Sequence, residues 1–160
     1  MREVSAEYYQ LTPCVGRCST VYGDEVCRGC RRVFNEITDW NQLDLDCRAR
    51  IWRRLERQLE RVLRPKLVVL DKLALRRQAQ LKQIKLDGQQ PVWVWVYRIL
   101  RHLALQPEPL EHYAIEVSLP WANWPFEQML AHIEDELYRM AEYELMQGSN
   151  NKTRQEHGTN

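Results

Sequence analysis

The stretch PCVGRCSTVYGDEVCRGCRR, residues 13–32, contains four of the five cysteines of the chain. Cys14, Cys18, Cys27 and Cys30 follow the spacing C-x3-C-x8-C-x2-C, so a short connection separates two close pairs. Two such pairs can bring four thiolates to one point, which is the arrangement that a tetrahedral metal ion requires. The pattern therefore predicts a metal site, with a disulfide pair or unreacted thiols as the alternatives.

Glycine and arginine accompany both cysteine pairs. Gly16 lies inside the first pair and Gly29 inside the second, and glycine tolerates the positive φ that tight ligand turns need. Four thiolates around a divalent ion carry a net charge of about −2. Flanking arginines would offset that charge and favour deprotonated thiols. These arginines are Arg17, Arg28, Arg31 and Arg32.

The expected cofactor is Zn²⁺ or an iron–sulfur cluster. Structural zinc suits a compact four-cysteine segment that has little core of its own. An iron–sulfur cluster also takes four cysteines, but the common ferredoxin spacings such as C-x2-C-x2-C are absent from the chain. The spacing favours zinc modestly and leaves both open.

Composition and charge narrow the class of protein. The 160 residues are 44% hydrophobic and 28% charged, which is enough to bury a core. No run of about eighteen apolar residues and no secretory signal is visible, so we expect a cytoplasmic protein that does not bind membranes. Residues 1–86 hold 18 Lys and Arg against 11 Asp and Glu, whereas residues 87–147 hold 3 against 10. The two halves attract each other, or each faces water, or the basic half binds an anionic partner.

We predict an α+β fold in two main parts. Residues 13–64 form a four-cysteine metal knuckle with helices, one of them Arg-rich, and residues 66–147 form an α+β extension. The extension contains a helix, a β-hairpin and a long C-terminal helix. Residues 1–12 are expected to be a short leader and residues 148–160 a disordered tail.

The elements of the extension follow from periodicity. Residues 66–70 can form a strand, and residues 73–86 are rich in helix formers. Residues 92–97 and 113–119 alternate as strands do, and they are predicted to pair antiparallel. Residues 126–146 have the apolar stripe of an amphipathic helix.

Aromatic residues on the first predicted strand are candidates for an interface. Trp93, Trp95 and Tyr97 would share one face of a strand whose other face carries valines. Because both faces are apolar, the strand is either covered on both sides or forms a contact surface.

The Arg-rich helix carries candidate contacts to an anionic partner. Interleaved acidic residues could instead pair with the arginines at three- and four-residue spacing. Cys47 on the same helix is expected to pack as a small hydrophobe, with a fifth ligand or a resolving thiol as alternatives. Ahead of it, Ile37 and Trp40 share a face and are expected to cover the metal turns. The candidate arginines are Arg48, Arg50, Arg53, Arg54, Arg57 and Arg61.

These motifs together resemble the short bacterial domain of unknown function 1289 over residues 12–60. Its members carry the segments P-C-x-G-x-C, L-C-x-G-C-x-R and E-I-x-x-W and then an Arg-rich helix, and all but the leucine are matched here. Because members are often labelled predicted iron–sulfur proteins, the resemblance supports that cofactor and implies the same four cysteines as ligands. Val26 replaces the usual leucine, and Arg31 stands where glycine is usual, which bears on any turn that depends on glycine.

We therefore expect a non-enzymatic, cytoplasmic metal-binding module that acts as a macromolecule-binding adaptor. A protein partner is expected rather than a nucleic acid. The alternatives are a small iron–sulfur electron-transfer or redox-sensing protein, and a nucleic-acid-binding protein that uses the Arg-rich helix. No common catalytic or nucleotide-binding motif occurs in the sequence.

Overall fold

Within the described residues the chain forms six α-helices and one two-stranded antiparallel sheet. The computed structural model describes the backbone of residues 6–156 and the side chains of residues 6–149. The predicted α+β class is confirmed. In chain order the elements are α1 (Ala6–Gln10), α2 (Phe34–Thr38), α3 (Leu45–Leu63), β1 (Leu67–Val69), α4 (Lys72–Leu81), α5 (Val92–Leu103), β2 (Ile115–Val117) and α6 (Phe126–Glu156).

The larger apolar core joins the C-terminal half of α3 to α5 and α6. On α5, Val96, Ile99, Leu100 and Leu103 are almost fully buried. Their spacing of three and four residues places them on one face of the helix. The apolar face of α6 packs against the same cluster, as the predicted stripe on residues 126–146 requires.

Residues 92–97 form the first half of α5, so the predicted strand at this place is wrong. Their valines and aromatics alternate, but the apolar positions continue at Ile99, Leu100 and Leu103. Only a helix puts that longer series on one side of the backbone. Burial of this face outweighs the β propensity of valine and tryptophan.

The predicted contact surface on residues 92–97 is packed against the core. Trp95 is 8% exposed, and its Nε1 donates a hydrogen bond of 2.7 Å to the Asp87 carbonyl. Trp93 and Tyr97 are half-buried against the same cluster. Since all three side chains serve the packing of α5, they do not form an exposed strand edge.

The sheet pairs two segments that are distant in sequence. β1 and β2 run antiparallel with Leu67 opposite Val117 and Val69 opposite Ile115. The strand predicted at 66–70 is therefore present, and so is the centre of the one predicted at 113–119. The predicted β-hairpin is replaced by this long-range pair, because residues 92–97 are helical.

A smaller core forms where α1 packs on the N-terminal half of α3. Tyr8 and Tyr9 of α1 are buried, and the Tyr8 hydroxyl donates to Glu56 Oε1 at 2.7 Å. Trp52 Nε1 donates to the Leu11 carbonyl at 3.0 Å. The predicted leader thus includes a helix that belongs to the core, while residues 1–5 lie outside the described residues.

The basic front and the acidic back of the chain meet along α6. Lys66 Nζ contacts Glu136 Oε2 at 2.6 Å, and Gln58 Nε2 donates to Glu144 Oε2 at 2.7 Å. α6 continues to Glu156, into the segment predicted to be a disordered tail, and residues 157–160 lie outside the described residues. No described helix is both long and apolar enough to cross a lipid bilayer.

Two matched substitutions test the burial of one face of the helix over residues 92–103. We expect Leu100→Ala to lower the free energy of unfolding by about 2–5 kcal/mol, because it leaves a cavity in the larger core. Leu105→Ala removes the same atoms from a side chain that is 82% exposed, and should change stability by less than about 0.5 kcal/mol. Urea denaturation followed by circular dichroism measures both, and equal losses would contradict the burial of this face.

Candidate metal-binding site

The second cysteine pair lies on a short hairpin-like turn. Val26 and Val33 form an antiparallel bridge at its base. The Cys27 N–H donates to the Arg32 carbonyl at 2.9 Å, and the Arg31 N–H donates to the Cys27 carbonyl at 2.8 Å. These backbone bonds fold residues 27–32 back on themselves, so that a single turn carries both Cys27 and Cys30.

Arg31 closes this turn in the left-handed region, with φ of 63°. Such a conformation costs a non-glycine residue about 1–2 kcal/mol. The turn nevertheless forms here with arginine in place of the usual glycine. The side chain is buried, where Nε donates to Gln58 Oε1 at 3.1 Å and Nη2 donates to the Leu55 carbonyl at 3.4 Å. These contacts to α3 offset the backbone cost.

The two thiols of this turn have different electrostatic surroundings. Burial of Cys27 opposes ionisation, but backbone N–H groups of Cys30, Ser19 and Gly29 outweigh it and lower the pKa of Cys27 below its usual value. Burial raises the pKa of Cys30, even though Arg32 Nε donates to its Sγ at 3.4 Å. A thiol surrounded by N–H donors is prepared to act as a thiolate ligand.

The first cysteine pair lies on a more exposed loop. The Gly16 N–H points at Cys14 Sγ at 3.4 Å, and Gly16 has φ of 82°, so the positive φ expected inside this pair is present. Cys14 is exposed and Cys18 is half-buried. Cys18 Sγ shares a hydrogen bond of 2.8 Å with Thr20 Oγ1.

The loop of residues 13–18 rests directly on Gly29 in the second turn. A Cβ at position 29 would lie 2.6 Å from the Arg17 carbonyl oxygen and 2.7 Å from Val15 Cγ2. Cys27 Sγ itself approaches the same Arg17 oxygen at 3.6 Å. Gly29 is therefore required by the close approach of the two loops and not by a positive φ, since any side chain there would separate them.

The two pairs are neighbours, but they do not form a complete ligand set. Among the side chains of residues 6–149, no group of three or more His, Cys, Asp and Glu residues is gathered closely enough to hold a metal ion. Cys27 and Cys30 are the half of the predicted ligand set that lies on the second turn. Cys14 and Cys18 are carried by a loop that already contacts this half.

Cys47 occupies the first turn of α3. Its N–H donates to Asp44 Oδ1 at 2.7 Å, which caps the helix, and its half-buried Sγ accepts a hydrogen bond of 2.8 Å from Arg50 Nη2. It is one of five free thiols and contributes to no group that could hold a metal ion among the described residues.

The residues after the turn support it, as expected for Trp40. Trp40 is buried, and the Arg32 guanidinium lies 4.9 Å from its ring centroid. Glu36 accepts two hydrogen bonds from Arg54, at 2.5 and 2.7 Å, and a third from the Val33 N–H at 3.0 Å. Glu36 thereby joins α2 and the end of the turn to α3.

The structure divides the predicted anion-contacting arginines into two groups. Arg48 donates to the carbonyls of Trp40 and Asn41, and Arg54 is occupied by Glu36, so these two hold the fold. Four remain on the exposed side of α3. They are Arg50, Arg53, Arg57 and Arg61.

The buried hydrogen bonds that join the cysteine turn to the helices were not predicted from the sequence. Arg31 donates to Gln58, and Gln58 in turn donates to Glu144 of α6. Arg31 was expected only to offset thiolate charge, and Gln58 lies among charged residues on α3. The one signal in the sequence is that arginine stands where the family usually has glycine, which indicates that the arginine side chain makes contacts in the fold.

Comparison with known proteins covers the cysteine segment and most of α3. No curated protein and no solved structure matches the chain. The resemblance proposed from the motifs is confirmed by a family model, and the residues after α3 lie outside that match. Residues 12–59, with all four paired cysteines, match the family described as a protein of unknown function, DUF1289.

Proposed function

We propose that residues 13–32 bind one metal centre through Cys14, Cys18, Cys27 and Cys30. The observation that carries this proposal is the contact at Gly29 between the first cysteine loop and the turn that bears the pair Cys27 and Cys30, where Cys27 Sγ lies 3.6 Å from the Arg17 carbonyl oxygen. Binding would draw the exposed Cys14 and the half-buried Cys18 towards that pair.

The surroundings suit a thiolate centre. Four thiolates and a divalent ion leave a charge of about −2, and Arg32 already donates to Cys30. Backbone N–H groups reach both pairs, at Cys14 from Gly16 and at Cys27 from the turn. Such donors orient the ligands and stabilise their negative charge.

We propose Zn²⁺ as the leading candidate, and an iron–sulfur cluster as the alternative that the family resemblance supports. Zinc would act structurally, by joining two loops that have few apolar contacts of their own. A cluster would add electron transfer or redox sensing to the same four ligands.

The module is proposed to bind a macromolecule and not to catalyse a reaction. The 3-10 turn Ser19–Tyr22 lies between the two cysteine pairs, and it exposes Val21 and Tyr22 almost completely. A metal centre would order this turn from both sides. Apolar side chains presented on an ordered loop are suited to contact with a partner protein.

The identity of the centre is tested by purification of the full chain without oxygen. We expect a colourless protein with one zinc per chain, because the compact spacing suits a single tetrahedral ion. Elemental analysis and the visible spectrum measure this. A brown protein with iron and acid-labile sulfide would show that the centre is an iron–sulfur cluster and not zinc. A protein that contains neither zinc nor iron would refute the proposal.

The ligand assignment is tested by Cys27→Ser with Cys47→Ser as its matched control. Cys27→Ser should lose the bound metal and the amide protection of residues 13–40, because one ligand and the N–H contacts to its thiolate are removed. α5 and α6 should stay protected, since their core is formed elsewhere. Cys47→Ser should keep the full metal content. Metal analysis and hydrogen exchange give the result, and unchanged metal in Cys27→Ser would refute the assignment.

The variant Arg31→Gly distinguishes the contribution of the turn's backbone conformation from that of the buried arginine side chain. Glycine adopts the left-handed conformation without strain, so we expect metal binding to persist. Stability should still fall by about 1–3 kcal/mol, because Gln58 loses its buried partner. Thermal unfolding at fixed metal content measures the loss, and a more stable variant would show that the buried contacts contribute nothing.

A further inference from the structure

Five arginines line the solvent-facing side of α3. They follow one another at three or four residues, so successive members lie one helical turn apart and fall on a single stripe. The stripe extends over about 21 Å at 1.5 Å per residue. We call this surface the arginine stripe, and its members are Arg50, Arg53, Arg57, Arg61 and Arg64.

All five side chains are exposed, in contrast to the arginines that face the fold. Arg57 and Arg61 form no ion pair with any described side chain, and Arg53 lies over the Tyr9 ring at 5.4 Å. Arg57, Arg61 and Arg64 line a shallow hollow of about 500 Å³ together with Glu60 and Pro65. The centre of the stripe therefore presents solvent-exposed positive charge.

Two acidic residues, Glu56 and Glu60, offset part of the charge of the stripe. Glu60 pairs with Arg64 at 3.2 Å, as the sequence predicted. Glu56 accepts a hydrogen bond from the Tyr8 hydroxyl on the side of α1, and its carboxylate also interacts electrostatically with Arg53 and Arg57. The positive charge is local, since the whole chain has a net charge of only +1.

The stripe lacks the features of a surface that binds a folded protein. Protein interfaces depend on buried apolar anchors surrounded by a polar rim. Along α3 the large exposed apolar side chain is Leu45, at the start of the helix and before the stripe begins. A partner on this surface is held by charge and hydrogen bonds alone.

We propose that the arginine stripe binds the phosphate backbone of a nucleic acid. Each guanidinium presents a planar set of donors that matches two phosphate oxygens, and every position of the stripe uses arginine and none uses lysine. A regular row of such groups fits a polymer that repeats one charged unit. Because the phosphate backbone is the same at every nucleotide, contacts made to it carry no sequence information, and we expect binding that is independent of sequence.

The test measures binding of the full chain to a labelled 20-nucleotide oligomer as single-stranded DNA, duplex DNA and RNA. Affinity should fall about 100-fold between 50 and 200 mM salt if four phosphates are neutralised. In the triple variant Arg57→Gln, Arg61→Gln, Arg64→Gln, the slope of log affinity against log salt should flatten by about three. The three oligomers show which nucleic acid is preferred, and any one that behaves this way supports the proposal.

The matched control removes three exposed arginines from other helices, Arg76→Gln, Arg77→Gln and Arg98→Gln, with the same change in net charge. It should keep the wild-type slope. Single variants Arg57→Gln and Arg61→Gln, each flattening the slope by about one, keep the test decisive if the triple variant is poorly folded. Equal effects in both triples, no salt dependence, or binding only to anionic lipid vesicles would overturn the proposal. Metal content is measured separately, so failure here is distinct from failure of the cysteine site.

Discussion

The buried guanidinium of Arg31 connects the cysteine turn to the helices. Its backbone closes the turn at φ of 63°, and its side chain reaches Gln58 and the Leu55 carbonyl inside α3. Gln58 continues the link to Glu144 on α6. A buried cation must be hydrogen-bonded to be tolerated, so the turn, α3 and α6 hold one another in place. The position of the Cys27 and Cys30 thiols depends on this link.

The two sides of α3 have different environments, one buried in the fold and one exposed to solvent. The inner side of α3 carries apolar residues into both cores and directs Arg48 and Arg54 to partners in the fold. Its outer side carries the arginine stripe, whose five side chains are exposed to solvent. Arg54 and Arg53 are adjacent in sequence but have unrelated roles, because neighbouring positions on a helix point about 100° apart. Only the three-dimensional packing assigns each arginine to one role.

The glycine inside each cysteine pair is needed for a different physical reason. Gly16 provides a left-handed backbone inside the first pair, whereas Gly29 provides space for the Arg17 carbonyl and Val15. The first reason is visible in sequence, since glycine in a tight turn indicates positive φ. The second is not, because the approach of one loop to another is a long-range contact.

The sequence by itself determined the cysteine spacing, the family match and the amphipathic pattern of α6, because each depends on local order along the chain. The α+β class was also predicted correctly, but the strand that pairs with β2 is β1 and not residues 92–97. The tertiary structure decided that residues 92–97 are helical, since a six-residue apolar run is compatible with either period until its neighbours are buried. It also decided that α1 belongs to the core and which arginines remain exposed. These outcomes depend on which surfaces meet, and residues far apart in sequence set those contacts.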